Sequence, residues 1–432
     1  MQIIINPVKE SLDAILKRPA FDATQLSEKV QAILDDVKSN GDRAVKKYTI
    51  EFDKIMLNDF AVNEEEIAAS ETLLSTELKQ AIQQAAANIK TFHAKQLSAP
   101  EIIETMPGIA CWRKNVAIEK VGLYIPGGTA PLFSTVLMLA IPANLAGCNE
   151  IILCSPPDVN GKLHAAVLYA AGITGITKIY KVGGVQAIAA MAFGTETMSK
   201  VYKIFGPGNQ YVTCAKQLIQ QQGIAIDMPA GPSEVCVLAD ETANASFIAA
   251  DLLSQAEHGA DSQVLLVCNS TEIADNVITA IELQIKNLPR QLTAIKALEK
   301  SKVVVLDNID DAVTLINEYA PEHLIISCKN EDAVAEKIIN AGSVFIGNYS
   351  PESVGDYASG TNHTLPTNGF AKVYSGVSID SFVKKITFQK LTQQGLHNIA
   401  DTVIQMAEAE GLQAHANAVK VRMKTPQAPT AE

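Results

Sequence analysis

The spacing of apolar positions changes near residue 116 of this 432-residue chain. Before that point, residues that would share one helical face recur three or four apart, most clearly at Leu78, Ile82, Ala85, Ile89 and His93. Gln, Lys and Glu fill the positions between them, as in an amphipathic surface helix. We therefore expect residues 1–100 to be largely helical and to contribute packing rather than chemistry.

Short β-branched runs alternate with helical stretches after that point. The first series of predicted strands is VAIEKVGLYI (116–125), EIILCS (150–155), KIYKV (178–182) and KVYKIF (200–205). The second series is EVCVLAD (234–240), QVLLVC (263–268), KVVVLD (302–307), HLIIS (323–327) and SVFIG (343–347). This alternation is typical of right-handed βαβ units. The predicted fold class is α/β, with two open, mostly parallel sheet domains carrying helices on both faces, plus helical N- and C-terminal segments.

The predicted organisation has four parts. They are an N-terminal helical segment (1–115) that packs on the second α/β domain, a first α/β domain (116–233), a second α/β domain (234–377) and a C-terminal helical segment (378–432). Residues 348–370 are rich in Gly, Ser, Thr, Asn and Pro, which predicts a long loop of the kind that often carries function. A helix is predicted over 399–421.

The charge distribution disfavours a nucleic-acid partner. The chain has 35 Lys and Arg against 47 Asp and Glu, a net charge of −12, and its acidic residues are spread along the sequence. A phosphate backbone needs a basic stripe, which is missing here. An anionic cofactor is still compatible with this charge, because backbone N–H groups at helix N-termini supply local positive potential.

Membrane and secretory signals are also missing from the sequence. The most apolar helical run, 131–147, contains Pro142 and is shorter than the ~20 apolar residues that cross a bilayer. The N-terminus does not follow the pattern of a signal peptide. The seven cysteines form no CxxC pair and mostly lie in apolar runs, as a reducing compartment permits. We expect a cytoplasmic protein without a membrane partner.

Glycine turns follow three of the first domain's predicted strands. They are Gly127-Gly128, Gly183-Gly184 and Gly206-Pro207-Gly208, and each precedes a predicted helix. The carboxyl edge of a parallel sheet is where ligands bind, and helix N-termini there favour phosphate oxygens. A phosphate-bearing ligand is one interpretation, and glycines that merely permit tight turns are the other. No G-x-G-x-x-G or Walker motif is present, so these motifs alone do not identify a nicotinamide cofactor.

Residues of metal-ligand type occur at several places. Gln255 and His258 stand three apart at the end of a predicted helix, Asp356 lies in the polar loop, and His415 lies on the last helix. Zinc takes about four N, O or S ligands, and these are often distant in sequence. Taken alone, a histidine at the position of His258 is more often a helix cap, and a lone carboxylate such as Asp356 is more often a turn residue. Spacing does not show that the four converge.

A carboxylate and an imidazole are adjacent at the start of one predicted strand, at Glu322 and His323. Burial can tune both groups toward neutral pH, so they are suited to acid–base work. Consecutive strand residues point to opposite faces, so the two need not touch. The alternative is a helix-stopping proline followed by two solvent-facing polar residues.

Together these segments resemble the histidinol dehydrogenase family over nearly the whole chain. The residues that carry the resemblance, in order, are VGLYIPGGTAPLFSTVLM (121–138), GGVQAIAAMAFGT (183–195), GPGNQYV (206–212), DMPAGPSE (227–234), DLLSQAEHGADSQ (251–263), PEHL (321–324), SVGDYASGTNHTLPT (353–367) and EGLQAHANAVKVR (410–422). Eight segments in register are far more specific than any one of them.

The resemblance implies an NAD-dependent, zinc-containing oxidation of L-histidinol through histidinal to L-histidine, with one Zn²⁺ per subunit and two NAD consumed. It implies Glu322 and His323 as the catalytic pair. The other implied residues are the zinc ligands Gln255, His258, Asp356 and His415, the substrate contacts Ser233, His323 and Glu410 together with those ligands, and the NAD contacts Tyr124, Gln186 and Asn209. It also implies a homodimer with shared active sites, in which Glu410 and His415 act across subunits. His363 belongs to the motif but is not among the implied ligands.

Three other functions are compatible with parts of the pattern. A zinc hydrolase would use the same ligands to activate water, with Glu322 as base. An aldehyde dehydrogenase would use a cysteine, although thiols in apolar strands are usually inert. A two-lobed solute-binding protein would bind a ligand without turnover. The hydrolase predicts no absorbance change with NAD, and the binding protein predicts binding without turnover. Alkylation with no loss of activity would dismiss the cysteine enzyme.

Overall fold

The computed structural model describes residues 1–8, 12–18, 23–127 and 131–424. The chain forms two compact units. The main unit comprises Met1–Gln96 and Ile118–Phe382, and the second unit comprises Leu97–Ala117 and Val383–Glu432. Gly128 of the first predicted glycine turn lies outside the described residues.

The secondary structure of the described residues is mixed. The strands are β1 (Gln2–Ile5), β2 (Ile102–Met106), β3 (Ile109–Ala117), β4 (Lys120–Tyr124), β5 (Glu150–Ser155), β6 (Lys178–Lys181), β7 (Lys203–Phe205), β8 (Ala225–Ile226), β9 (Glu234–Ala239), β10 (Gln263–Cys268), β11 (Lys302–Val305), β12 (His323–Ser327), β13 (Ser343–Ile346) and β14 (Val383–Leu391). The helices are α1 (Leu12–Leu16), α2 (Ala23–Tyr48), α3 (Glu64–Ser70), α4 (Thr76–Ala94), α5 (Phe133–Ala146), α6 (Ala165–Ile173), α7 (Gly184–Phe193), α8 (Gln210–Gln220), α9 (Ala245–Ala256), α10 (Thr271–Gln284), α11 (Gln291–Glu299), α12 (Ile309–Tyr319), α13 (Glu331–Ala335), α14 (Glu352–Tyr357), α15 (Gln393–Ala409) and α16 (Gln413–Lys424).

Two parallel sheets form the main unit. Within the described residues, sheet A has six strands in the order β1-β11-β10-β9-β12-β13, and sheet B has five in the order β6-β5-β4-β7-β8. Every strand pair in both sheets is parallel. The predicted α/β class with two open parallel sheets is therefore confirmed.

Helices cover both faces of each sheet, which explains the continuous apolar runs of the strands. In β9, Val235, Val237 and Ala239 pack with α9, α10 and α11, whereas Cys236 and Leu238 pack with α12 on the other face. Sheet B is covered by α2, α7 and α8 on one face and by α4, α5 and α6 on the other. Because side chains alternate between two buried faces, most positions of the central strands are apolar.

The structure corrects several predicted elements. The N-terminal segment is not purely helical, because β1 pairs with β11 at the edge of sheet A and β2 and β3 lie within 101–117. The run 116–125 is not one strand, since β3 ends at Ala117 and β4 begins at Lys120. The loop 348–370 contains α14. The segment 378–432 begins with β14, and the predicted helix 399–421 is two helices separated at Gly411, whose φ is 75°.

The second unit contains an antiparallel sheet in the order β14-β3-β2, followed by α15 and α16. The Trp112 and Phe388 rings stack across β3 and β14 with centroids 5.4 Å apart. No helix in the described part of the chain is both long and apolar enough to span a membrane.

Candidate active site

The Glu322-His323 dipeptide lies at the amino end of β12, which pairs with β9 on one side and with the edge strand β13 on the other. His323 opens the strand and pairs with Val235, so it stands beside the first residues of β9. Both side chains are buried, at 7% exposure for Glu322 and 2% for His323. The solvent-facing alternative for this pair is therefore wrong.

Both ring nitrogens of His323 have polar neighbours. Nδ1 lies 3.0 Å from the carbonyl oxygen of Glu234, which can only accept, so Nδ1 carries a proton. Nε2 lies 3.2 Å from Asp356 Oδ1. Burial by itself lowers the pKa of His323, but the carboxylates of Glu322 and Asp356 outweigh it and raise that pKa well above its ordinary value.

Glu322 is held from the neighbouring strand. Its Oε2 accepts a hydrogen bond of 2.8 Å from the backbone N–H of Glu234. The same oxygen lies 3.6 Å from His323 Nδ1, so the two neighbours approach each other. The approach is consistent with Glu322 lying one residue before the strand, where strict alternation of side chains does not yet apply.

Three of the predicted ligand residues belong to one cluster around His323. Gln255 Nε2 lies 3.2 Å from His323 Nδ1, and Asp356 contacts Nε2. Burial raises the pKa of Asp356, but the nearby His323, His363 and His258 together lower it below its ordinary value. His258 follows α9, where its N–H donates to the Gln255 carbonyl at 3.2 Å. Across the described residues, no group of three or more His, Cys, Asp or Glu has the arrangement of a metal site.

A buried carboxyl next to this cluster was missed by sequence reasoning. Glu352 is 1% exposed and lies 2.5 Å from the Ser254 hydroxyl. The same hydroxyl lies 2.7 Å from the Asp251 carbonyl, so its single proton can be donated either to Glu352 or to Asp251. Burial raises the pKa of Glu352 to about 8, which favours a protonated carboxyl.

His363 connects the polar loop to sheet B's helices. Its Nδ1 donates to the Asp356 carbonyl at 2.8 Å, and its Nε2 lies 3.0 Å from Thr135 Oγ1 on α5. Burial lowers the pKa of His363 below its ordinary value. With both nitrogens engaged in this way, His363 anchors the loop that carries Asp356.

A cavity of about 1110 Å³ opens at the carboxyl edge of sheet B. Tyr124, Gly127, Gly184 and Asn209 line it, so residues of the glycine turns after β4 and β6 meet there with the residue that follows the turn after β7. Its size is sufficient for a large organic ligand. Asp53 also lines the cavity, and burial raises the pKa of its carboxyl to about 6.

The three predicted NAD contacts occupy different positions at this cavity. The Tyr124 hydroxyl accepts from Gly184 N–H at 3.0 Å, and burial raises the pKa of Tyr124 to about 12. Asn209 caps α8 through bonds from the N–H groups of Tyr211 and Val212. Gln186 is fully buried behind the lining, 3.4 Å from Asp53, and its Oε1 has no hydrogen-bond partner among the described residues.

The remaining predicted residues lie at other places. Ser233 directly precedes β9, where its carbonyl accepts from Gln263 N–H at 3.0 Å, so it stands at the same sheet edge as His323. Glu410 and His415 are exposed residues of the second unit, at the end of α15 and in α16.

Six of the seven thiols are buried. Burial raises the pKa of Cys148 and of Cys268 to about 11 and that of Cys328 to about 12. A thiolate is needed for nucleophilic attack. These values disfavour a cysteine-dependent aldehyde dehydrogenase.

Fold and site together define an α/β protein with a cofactor-sized cavity on one parallel sheet and a buried Glu-His pair on the other. Its family is established by comparison with known proteins. The model of the histidinol dehydrogenase family matches residues 16–423. The chain belongs to the histidinol dehydrogenase family, oxidoreductases of histidine biosynthesis.

Individual relatives agree along the full length. The histidinol dehydrogenase of Bacteroides thetaiotaomicron is 57% identical over 425 residues, covering 98% of this chain and 99% of the relative. That of Vibrio vulnificus is 51% identical over 415 residues, 95% of each chain. The crystal structure of histidinol dehydrogenase from Elizabethkingia anophelis, 56% identical, superposes with a TM-score of 0.96 over 98% of each chain.

Proposed function

We propose that this protein oxidises L-histidinol through histidinal to L-histidine, using two NAD and one zinc ion per subunit. The observation that carries the proposal is the buried Glu322-His323 pair, with Asp356 and Gln255 beside it, in a chain of this family. A buried carboxylate and imidazole in mutual contact supply the acid–base groups that two successive oxidations need.

The donor set of the cluster suits a divalent cation. Gln255 Oε1 is buried and has no hydrogen-bond partner within the described part of the chain, which is unusual for an amide oxygen. With the carboxylate of Asp356 and the imidazole of His258, it offers oxygen and nitrogen donors of the type zinc accepts. A bound zinc ion would fix the substrate's imidazole and amine so that the carbinol carbon faces the nicotinamide.

His323 is the general base for the hydroxyl proton. Because the Glu234 carbonyl holds the proton of Nδ1, Nε2 is the nitrogen that takes the substrate's proton while hydride leaves the carbinol carbon. Nε2 must be unprotonated for this, and a cation held by Asp356 would favour that form by neutralising one of the two carboxylates that raise the His323 pKa. A positioned base of this kind contributes about 10²- to 10⁴-fold to the rate. The fixed tautomer keeps Nε2 directed toward Asp356 and the ligand residues.

Glu322 serves the second oxidation. The bond from Glu234 N–H holds Oε2, so Oε1 is the oxygen that removes a proton from water as the water adds to the aldehyde carbon. The resulting hydrate loses a second hydride and gives the carboxylate. Keeping the aldehyde bound between the two steps protects a reactive intermediate from bulk water.

The cavity on sheet B suits NAD. Its volume of about 1110 Å³ accommodates a dinucleotide, and α7 and α8 begin at its glycine turns with N–H groups for the pyrophosphate. Tyr124, Gln186 and Asn209 would make the contacts. In this proposal residues 116–233 form the NAD side, residues 234–377 the catalytic side, and residues 378–432 reach a partner subunit.

Shared active sites are part of the same proposal. Ser233 would contact the substrate from the chain's own main unit, whereas Glu410 and His415 would act from the partner subunit of a homodimer. Mixing two inactive variants, His323→Asn and His415→Asn, tests this sharing. Activity that reappears in the mixture supports residues acting across subunits, and a mixture that stays inactive contradicts it.

The catalytic role is tested by the His323→Asn variant. We expect it to slow NADH formation from both L-histidinol and histidinal by about 10²-fold or more while zinc content stays at the wild-type level. Zinc analysis beside the rate measurement separates loss of the base from loss of the metal. Unchanged turnover in this variant would contradict the proposal.

A further inference from the structure

Neither Arg18 nor Glu234 belongs to the predicted catalytic, cofactor or metal residues, yet they form a buried ion pair beside them. Arg18 Nε lies 2.5 Å from Glu234 Oε1, and Nη2 lies 2.8 Å from Oε2, which is the bidentate geometry of a strong pair. The two side chains are 14% and 2% exposed. Burying two charged groups costs free energy of desolvation, so we expect this pair to do more than stabilise the fold.

Arg18 also holds the end of the helix that leads to the catalytic strand. Nη2 donates to the Tyr319 carbonyl at 2.8 Å, and the guanidinium carbon lies 3.9 Å from the centre of the Tyr319 ring. Tyr319 ends α12, and Glu322 follows just before β12. The guanidinium group of Arg18 therefore links the first residue of β9 to the last residue of α12, just before the segment that leads into β12.

The backbone of Glu234 contacts both members of the catalytic pair. Its N–H donates to Glu322 Oε2 at 2.8 Å, and its carbonyl accepts from His323 Nδ1 at 3.0 Å. Its own carboxylate is fixed by Arg18 and by the N–H of Asn368 at 3.1 Å. A rotation of residue 234 that breaks the ion pair would displace both backbone groups at once.

We propose that Arg18 and Glu234 are positioning residues, whose ion pair fixes the backbone of residue 234 so that it orients Glu322 and His323 together. This inference rests on the proposed function, from which the catalytic roles of Glu322 and His323 are taken. Arg18 contacts neither member of that pair in the bonds described above, so it acts through Glu234. A purely structural ion pair would change stability and leave kcat per folded molecule intact.

Three variants test the inference kinetically. They are Arg18→Met, Arg18→Lys and the double variant Arg18→Met with Glu234→Gln. The double variant leaves no unpaired buried charge, so it serves if Arg18→Met alone folds poorly. The matched control is Glu66→Gln, which breaks the partly buried pair with Lys181, away from the catalytic pair. Folded fraction by circular dichroism and zinc content are measured on each.

We expect kcat for L-histidinol and for histidinal to fall together, by about 10²-fold, in the Arg18→Met and double variants, since small displacements of catalytic groups cost that much. Arg18→Lys and added guanidinium ion should each restore part of the loss, and Glu66→Gln should keep the wild-type kcat. A wild-type kcat in folded Arg18→Met or in the double variant would overturn the inference.

A second readout does not depend on activity. The chain has seven histidines, so isotope-labelled histidine gives a small set of ring-nitrogen signals, and the His323 signal is the one lost in His323→Asn. The Nδ1 signal should shift in the double variant as its bond to the Glu234 carbonyl weakens, and an unshifted signal would overturn the inference. If wild-type protein does not oxidise L-histidinol, the proposed function fails and this signal alone decides the role of Arg18.

Discussion

Replacement of Gly206 by alanine adds one methyl group, but it should strongly disturb the cavity on sheet B that we propose for NAD. Gly206 has φ of +121°, and an added Cβ would lie 2.0 Å from the carbonyl oxygen of Tyr124. The neighbours resist a shift, because Gly206 N–H donates to Asp227 and its carbonyl accepts from Lys216, each at 2.8 Å. Backbone strain at such a φ costs about 1–3 kcal/mol. Together with the clash between the added Cβ and the Tyr124 carbonyl, it should lower the free energy of unfolding by about 2–5 kcal/mol.

Gly223→Ala is the matched control. Gly223 also has a positive φ, of +87°, but no described atom lies within 4 Å of an added Cβ. It should lose only the backbone strain, about 1–2 kcal/mol. Thermal unfolding compares the two variants, and calorimetry gives the Kd for NAD.

The two assays separate backbone strain from the close approach to Tyr124. We expect Gly206→Ala to weaken NAD binding at least about tenfold, which is about 1.4 kcal/mol, and Gly223→Ala to leave it unchanged. Equal stability losses in the two variants, with an unchanged Kd in both, would refute the reasoning.

Three further variants test separate parts of the site. Glu322→Gln should slow histidinal oxidation more than L-histidinol oxidation, because only the former needs an activated water, and equal losses would contradict that role. His258→Asn should lower zinc content and activity together, and a full zinc complement by metal analysis would exclude it as a ligand. Asp53→Asn should be more stable than wild type above the raised pKa of about 6, since ionising the buried carboxyl destabilises the fold. Allowing for solvent screening, the gain in melting experiments should be about 1–2 kcal/mol near neutral pH and vanish below about pH 4; a gain independent of pH would argue against this cause.

Most strands of the two parallel sheets were predictable because they are buried on two faces. Runs such as EVCVLAD and QVLLVC are continuously apolar, which only a covered parallel sheet explains well. β1 was missed because four residues are too few for a periodic signal, and its pairing with β11 joins segments about 300 positions apart. β14 was missed because most of its residues are exposed. Its lysines and threonine interrupt the alternation of apolar and polar residues that identifies a strand.

The candidate site was predictable in its residue types but not in its supports. Glu322, His323 and Asp356 are candidates from sequence alone, because carboxylates and imidazoles are common acid–base groups and metal ligands. Arg18 gives no such signal, because its role depends on an ion pair with Glu234, which lies 216 positions later in the chain. A charged residue that opens a fully buried strand, as Glu234 does, is the one local indication that a partner must exist.

The most direct test of the central claim is the molar yield of NADH from L-histidinol consumed to completion, with and without chelator treatment and zinc add-back. The account predicts two NADH per L-histidinol, lost on chelation and restored by zinc. A yield of one NADH would leave an alcohol dehydrogenase that stops at the aldehyde. No NADH at all would contradict the proposed function and favour a hydrolase or a binding protein.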